Sequence, residues 1–181
     1  WANSLGMGGI IPIECIFYPS SNFLDFKLTG MQGDVMKESM NVAKTLAWKL
    51  TTKEKRKLIL DEHKKEGIHI HCPEGAIKKD GPSAGTAITI AIYSLFNDLK
   101  IDNKFAITGE INLQGKISAI GGLKLKILGG IKAGVKSFLF PKENEKDFIK
   151  FKKEYDDKTI FDNIEFKSVE YIDEVINFIF I

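Results

Sequence analysis

The chain opens with two stretches of β-like character. Ile10 to Tyr18 is rich in β-branched and aromatic residues, and in Phe23 to Thr29 the side chains Phe26 and Leu28 alternate with Asp25 and Lys27. Pro19, Ser20, Ser21 and Asn22 separate the two, a turn composition that predicts an N-terminal β-hairpin. After Gly30 and Gly33 the period changes from two to 3.6, and a helix is expected from about Asp34 to Lys49 with Val35, Ser39, Val42, Ala43, Leu46 and Leu50 on one face. Lys53 to Glu66 reads as a short charged surface helix around Leu58, Ile59 and Leu60, followed by a strand at Ile68 to Cys72.

The next helix is of another kind. From about Ser83 to Leu95, apolar residues (Ala84, Ala87, Ile88, Ile90, Ala91, Ile92, Leu95) lie all round the axis, which predicts burial on nearly every side. Phe105 to Leu113 reads as a strand interrupted near Gly109, and Lys116 to Ile120 as a second strand. A helix is expected from about Leu123 to Ala133, closed by Gly134. A strand at Val135 to Phe140, a charged helix near Glu143 to Glu154, a strand at Ile164 to Val169 and a final helix from Ile172 complete the pattern. Interleaved strands and helices predict an α/β (α+β) fold, a single domain over residues 1–181 with one mixed sheet flanked by helices.

Composition narrows the function classes. Of 181 residues 44% are hydrophobic and 28% charged, enough apolar material for one domain with a real core. The 26 basic and 24 acidic residues nearly cancel, and Arg56 is the single arginine, which argues against a dedicated nucleic-acid surface. Two cysteines, Cys15 and Cys72, without CxxC spacing suit a reducing compartment. No apolar run is long enough to span a bilayer, and the expectation is a protein with no membrane partner. A chain that starts on Trp1 rather than Met is expected to be a fragment with another domain upstream.

Candidate chemistry begins at Lys79-Asp80-Gly81-Pro82-Ser83-Ala84-Gly85-Thr86, where a serine lies between two glycines at the start of the buried helix. Small neighbours let a substrate backbone approach, and free N–H groups at a helix start are suited to an oxyanion. Read locally, the more economical role for Ser83 is an N-cap. A serine nucleophile also needs a base. His69 and His71 share one strand face, but Cys72 points the opposite way and no third-ligand pattern accompanies them, so a structural role is preferred to a metal site. The other source of a base is a lysine kept neutral by burial. Gly122-Leu123-Lys124-Leu125-Lys126-Ile127-Leu128 offers two. At 100° per residue Lys126 falls about 60° from Leu123 at the edge of the apolar stripe, with Lys124 between other apolar positions, so the wheel leaves the choice open. The plain alternative is that both lysines snorkel from a half-buried helix.

Taken together, His69-Ile70-His71-Cys72-Pro73-Glu74-Gly75-Ala76, Lys79 to Gly85, Thr108-Gly109-Glu110 and Gly121-Gly122-Leu123-Lys124-Leu125-Lys126 resemble the Lon protease proteolytic domain. The likeness extends to Gly8-Gly9, Ile13-Glu14, Gly33 to Ser39, and Gly134-Val135-Lys136 through Pro141 and Asn144, in order and nearly end to end. It implies a serine endopeptidase of the soluble bacterial or organellar branch, with Ser83 as nucleophile and Lys126, the second lysine of its motif, as base. Thr108 is implied as a hydroxyl that orients the lysine, and Asp80 and Glu14 as acidic positions that adjust the site. The family's arginine after T-G-E-I is missing at Asn112-Leu113-Gln114, and Cys72 stands at a commonly apolar position.

The resemblance implies polypeptide substrates, including misfolded and regulatory proteins, a homohexameric ring and a cytoplasmic or mitochondrial-matrix location. ATP and Mg are expected in an ATPase domain, since no GxxxxGK[ST] occurs in these residues, and no cofactor is expected here. The rival reading from another class is a Lon-like assembly or binding module without peptidase activity, whose expected signature is loss of the serine or lysine. A phosphate-binding role for Gly81 to Gly85 is disfavoured because no phosphate-binding lysine follows.

Overall fold

The computed structural model describes residues 1–30, 33–73, 80–155 and 158–180. Glu74-Gly75-Ala76 and Lys79 of the family-like motifs lie outside them. The elements run β1 (Glu14–Pro19), β2 (Phe26–Thr29), α1 (Asp34–Leu50), α2 (Lys53–Glu62), β3 (Glu66–His71), α3 (Gly85–Asn97), β4 (Phe105–Ile107), β5 (Glu110–Ile111), β6 (Ile117–Ser118), α4 (Leu123–Lys132), β7 (Ser137–Pro141), α5 (Glu145–Glu154), β8 (Glu165–Val169) and α6 (Ile172–Ile179). The α/β character is as expected. The strands, however, divide among three sheets in the described residues: β1-β3-β2, the parallel β4-β7-β8 and the small β5-β6 pair.

The expected N-terminal hairpin does not form. β3 lies between β1 and β2, antiparallel to the first and parallel to the second. Ile68 and Ile70 give β3 a fully buried face, and this most buried of the three strands takes the centre. The link between β1 and β2 bonds to β3 and its lead-in instead of closing a turn: Ser20 N–H donates to Lys65 C=O, Leu24 N–H to Glu66 C=O and Ile68 N–H to Asp25 C=O, with Leu24 at φ 52° turning the chain. Of the face expected on α1, Ser39, Ala43 and Leu46 are buried and Val42 and Leu50 are partly buried, but Val35 is not. Met36, Ser39, Met40, Ala43, Leu46 and Ala47 face the interior, whereas Val35 is 46% exposed.

α3 is the hub. Ile88, Ile92 and Phe96 join the core under the first sheet with Met36, Met40, Ile68 and Ile70. Ile90, on another side of the same helix, joins Leu46, Ile117, Leu139, Val169 and Val175. Strand β7 then separates that core from a third, because Leu139 faces the second cluster while Phe138 and Phe140 face Leu123, Ile127 of α4 and Phe151 of α5. Helix packing on both faces is what a buried parallel sheet requires. Among the described residues no helix is long and apolar enough to cross a membrane.

Because Ile90 is fully buried, Ile90→Ala is expected to destabilise the domain by about 2–5 kcal/mol. Urea unfolding should show a lower midpoint with an unchanged slope.

Candidate active site

Ser83 does not cap α3. It lies in a single 3-10 turn, Pro82–Ala84, that runs into the helix, and Ala84 occupies the cap position without a side-chain bond. The Ser83 hydroxyl is thereby freed, and Lys126 Nζ lies 2.9 Å from its Oγ. Lys126 Nζ also donates to Thr108 Oγ1 at 3.2 Å, and Thr108 Oγ1 donates to the Ser83 carbonyl at 3.2 Å. Three segments distant in sequence thus meet at one point: the α3 approach, the end of β4 and the first turns of α4.

Backbone packing holds α4 in place. A Cβ on Gly8 would stand 1.9 Å from the Leu125 carbonyl oxygen, and one on Gly129 would stand 2.3 Å from the Gly8 carbonyl carbon. The N-terminal segment therefore touches α4 main chain to main chain on the turns that carry Lys126, a contact that requires glycine on both sides. The same segment, Ile10 to Ile13, forms one wall of an open cavity of about 1200 Å³, whose floor includes Ser83, Thr108 and Lys126.

Burial pushes the Lys126 ammonium from its ordinary 10.5 down to about 8. An amine that sheds its proton near neutrality, within hydrogen-bond reach of a serine hydroxyl, can act as a base toward it. Lys124, its rival on the same helix, is exposed and extends over the Phe151 ring at 5.8 Å. Tertiary packing separates what the helical wheel left tied.

The acidic candidates are placed differently. Asp80 lines the cavity, but its Oδ1 accepts from Met36 N–H at 3.1 Å and from Gly81 N–H at 2.9 Å, so it seats on the N-terminal turn of α1. Glu14 is exposed at the start of β1, opposite His71 in register, and is not part of the cavity wall. His69 Nε2 and His71 Nδ1 both meet the Thr29 hydroxyl, at 2.9 and 2.7 Å, on the outer face of the first sheet. Cys72 is buried, and burial pushes the Cys15 thiol up to about 12.

Two of the N–H groups at the helix start are already engaged. Gly85 N–H donates to Pro82 C=O and Thr86 N–H to Gly109 C=O at 3.0 Å. Both are satisfied within the chain. Two side chains that hold this turn were not singled out as site residues in the sequence: Ser39, whose Oγ reaches Pro82 C=O at 3.5 Å, and Thr86. The legible signal was a hydroxyl at a core-facing helical position.

A model of the Lon protease (S16) C-terminal proteolytic domain matches residues 2–181. The chain belongs to this family. It is 40% identical over 173 residues to a Lon protease of Metamycoplasma arthritidis, covering 96% of this chain and 20% of that protein. It is 40% identical over 169 residues to a Lon protease of Clostridium acetobutylicum, covering 93% of this chain and 21% of that one. With a Lon protease homolog of Acanthamoeba polyphaga mimivirus it shares 41% identity over 181 residues, 97% of this chain and 17% of the other. The chain spans about one fifth of the length of the curated relatives it matches.

The buried lysine of this Lon-family domain has a stability consequence. The folded state binds a proton on Lys126 less readily than the unfolded chain, so stability rises with pH between about 8 and the ordinary value 10.5. Lys126→Met should therefore raise the unfolding free energy at pH 7 by on the order of 2 kcal/mol given the partial exposure of the side chain. That advantage should shrink as pH rises from 8 to 10.5 in paired thermal melts.

Proposed function

We propose that this domain is the serine endopeptidase unit of an ATP-dependent Lon protease and that it cleaves polypeptides through an acyl-enzyme, with Ser83 as nucleophile and Lys126 as general base. The observation that carries the reading is the 2.9 Å approach of Lys126 Nζ to Ser83 Oγ at the floor of an open cavity. Neutral Lys126 accepts the hydroxyl proton as Ser83 Oγ attacks the scissile carbonyl carbon. The resulting ammonium gives that proton to the departing amine as the tetrahedral intermediate collapses to an ester. Lys126, neutral again, takes a proton from water for the hydrolysis that restores Ser83. Thr108 holds the amine between its own hydroxyl and that of Ser83, which limits the rotamers available to a long flexible side chain. Backbone N–H groups near Ser83 receive the oxyanion. Those of Gly85 and Thr86 are occupied, so the candidates are the N–H groups of Ser83 and Ala84 in the turn or donors outside it.

The substrate is an extended polypeptide lying along a free strand edge. β4 is the outer strand of its sheet, and Phe105 to Thr108 line the same cavity as Ile10 to Ile13. Asp80 and Glu14 are assigned adjusting roles, the first by its tie between the serine turn and α1. ATP and Mg belong to an ATPase in the additional length of the relatives, of which this chain spans about one fifth. We further assign a homohexameric assembly, a cytoplasmic or mitochondrial-matrix setting, and a role in removing misfolded and regulatory proteins.

In the full-length protein, Ser83→Ala and Lys126→Ala should each lower cleavage of fluorescein-labelled casein by at least about 10³-fold while leaving the circular dichroism spectrum unchanged. Lys124→Ala should stay within about threefold of the parent. Retained cleavage in Lys126→Ala, with loss in Lys124→Ala, would exchange the two lysines. A folded, assembled protein that cleaves no peptide at all would favour the assembly-module reading. Because the base works only when unprotonated, kcat should rise with pH along a single limb centred near 8.

A further inference from the structure

Thr86 lies three residues after Ser83 and is fully buried. It is not part of the cavity wall, so it does not touch a substrate there. Its backbone N–H and its Oγ1 nonetheless both donate to one acceptor, the Gly109 carbonyl, at 3.0 and 2.9 Å. Gly109 N–H returns a bond of 2.8 Å to the Ser83 carbonyl, which also receives the Thr108 hydroxyl at 3.2 Å. The result is a closed ring of hydrogen bonds. Residues 83 and 86 of one segment grip residues 108 and 109 of another, and Thr108 is the residue that bonds the Lys126 amine.

The fit around this ring is tight. A Cβ on Gly109 would stand 2.8 Å from Thr86 Oγ1 and 2.5 Å from Ile117 Cγ2, so the Gly109 backbone has little room to shift while Thr86 is in place. On its other side Thr108 N–H donates to Leu139 C=O at 3.0 Å, which fastens the segment to β7. A carbonyl held by two donors from one residue resists displacement more than a carbonyl held by one. We infer that Thr86 is a positioning residue for the proposed dyad: its hydroxyl fixes the Thr108–Gly109 segment, and through it the relative placement of Ser83 and Lys126.

This inference rests on the dyad reading, and the experiment separates the two. Full-length parent, Ser83→Ala, Thr86→Val, Thr86→Ala and Thr86→Ser are assayed on fluorescein-labelled casein across pH, with thermal melts of each. Thr86→Val removes the hydroxyl at nearly constant shape. It should lower kcat about fivefold, the scale of one neutral hydrogen bond, leave KM within about twofold, and displace the midpoint of the pH–kcat limb. Thr86→Ser keeps the hydroxyl and should restore parental kcat and midpoint. Thr86→Ala provides the same reading if the valine variant melts below the assay temperature. A folded Thr86→Val or Thr86→Ala with parental kcat and pH midpoint overturns the inference, as does a Thr86→Ser that loses as much as Thr86→Val. If Ser83→Ala cleaves as well as the parent, the dyad reading itself has failed.

Discussion

An amine withdrawn from water beside a hydroxyl is the constraint around which this domain is arranged. Lys126 is pushed down to about 8 by burial, and Ser83 Oγ and Thr108 Oγ1 are the partners its Nζ finds there. To bury that amine the chain brings α4 against the N-terminal segment with no side chain between Gly8 and Gly129. It also directs Lys124 away over Phe151. Desolvating a lysine costs stability, so the surrounding packing must offset that cost; α3, which feeds two apolar cores, supplies much of the offset.

The serine turn is held from both sides. From the first half of the chain, Met36 N–H bonds Asp80 and Ser39 reaches Pro82. From the second half, Gly109 and Thr108 bond the Ser83 carbonyl. Ser83 thus sits where the two halves of the fold meet, at the N-terminal approach to their shared helix. The same arrangement explains why the N–H groups of Gly85 and Thr86 are engaged. In this conformation the N–H groups that open α3 close the Pro82–Ala84 turn and clamp Gly109.

Much of this was legible from spacing alone. The all-round apolar pattern from Ala84 to Leu95 foretold a helix buried on nearly all sides; Ile88, Ile90 and Ile92 are fully buried, and the remaining face, Ala84, Ala87 and Ala91, lines the cavity. The break at Gly109 was also visible, and it falls between β4 and β5. Strand order was not. Pro19 to Asn22 has the composition of a tight turn, yet β1 and β2 are parted by a strand from forty residues downstream, since local composition describes a bend and not the partner beyond it.

By itself, the amino-acid sequence determined the family, the α/β succession of elements and the residues from which a site must be built. Tertiary structure alone decided which of them meet. Lys124 and Lys126 are two residues apart on one helix and equivalent to any local rule; only the packing of α4 against Gly8 and the Phe151 cluster sends one to Ser83 and the other outward. Asp80 seats on α1, Glu14 stays on the outer face of the first sheet, and Thr86 reaches Gly109 for the same reason. Each is a contact between distant segments, and distance along the chain carries no information about distance in space until the cores have closed.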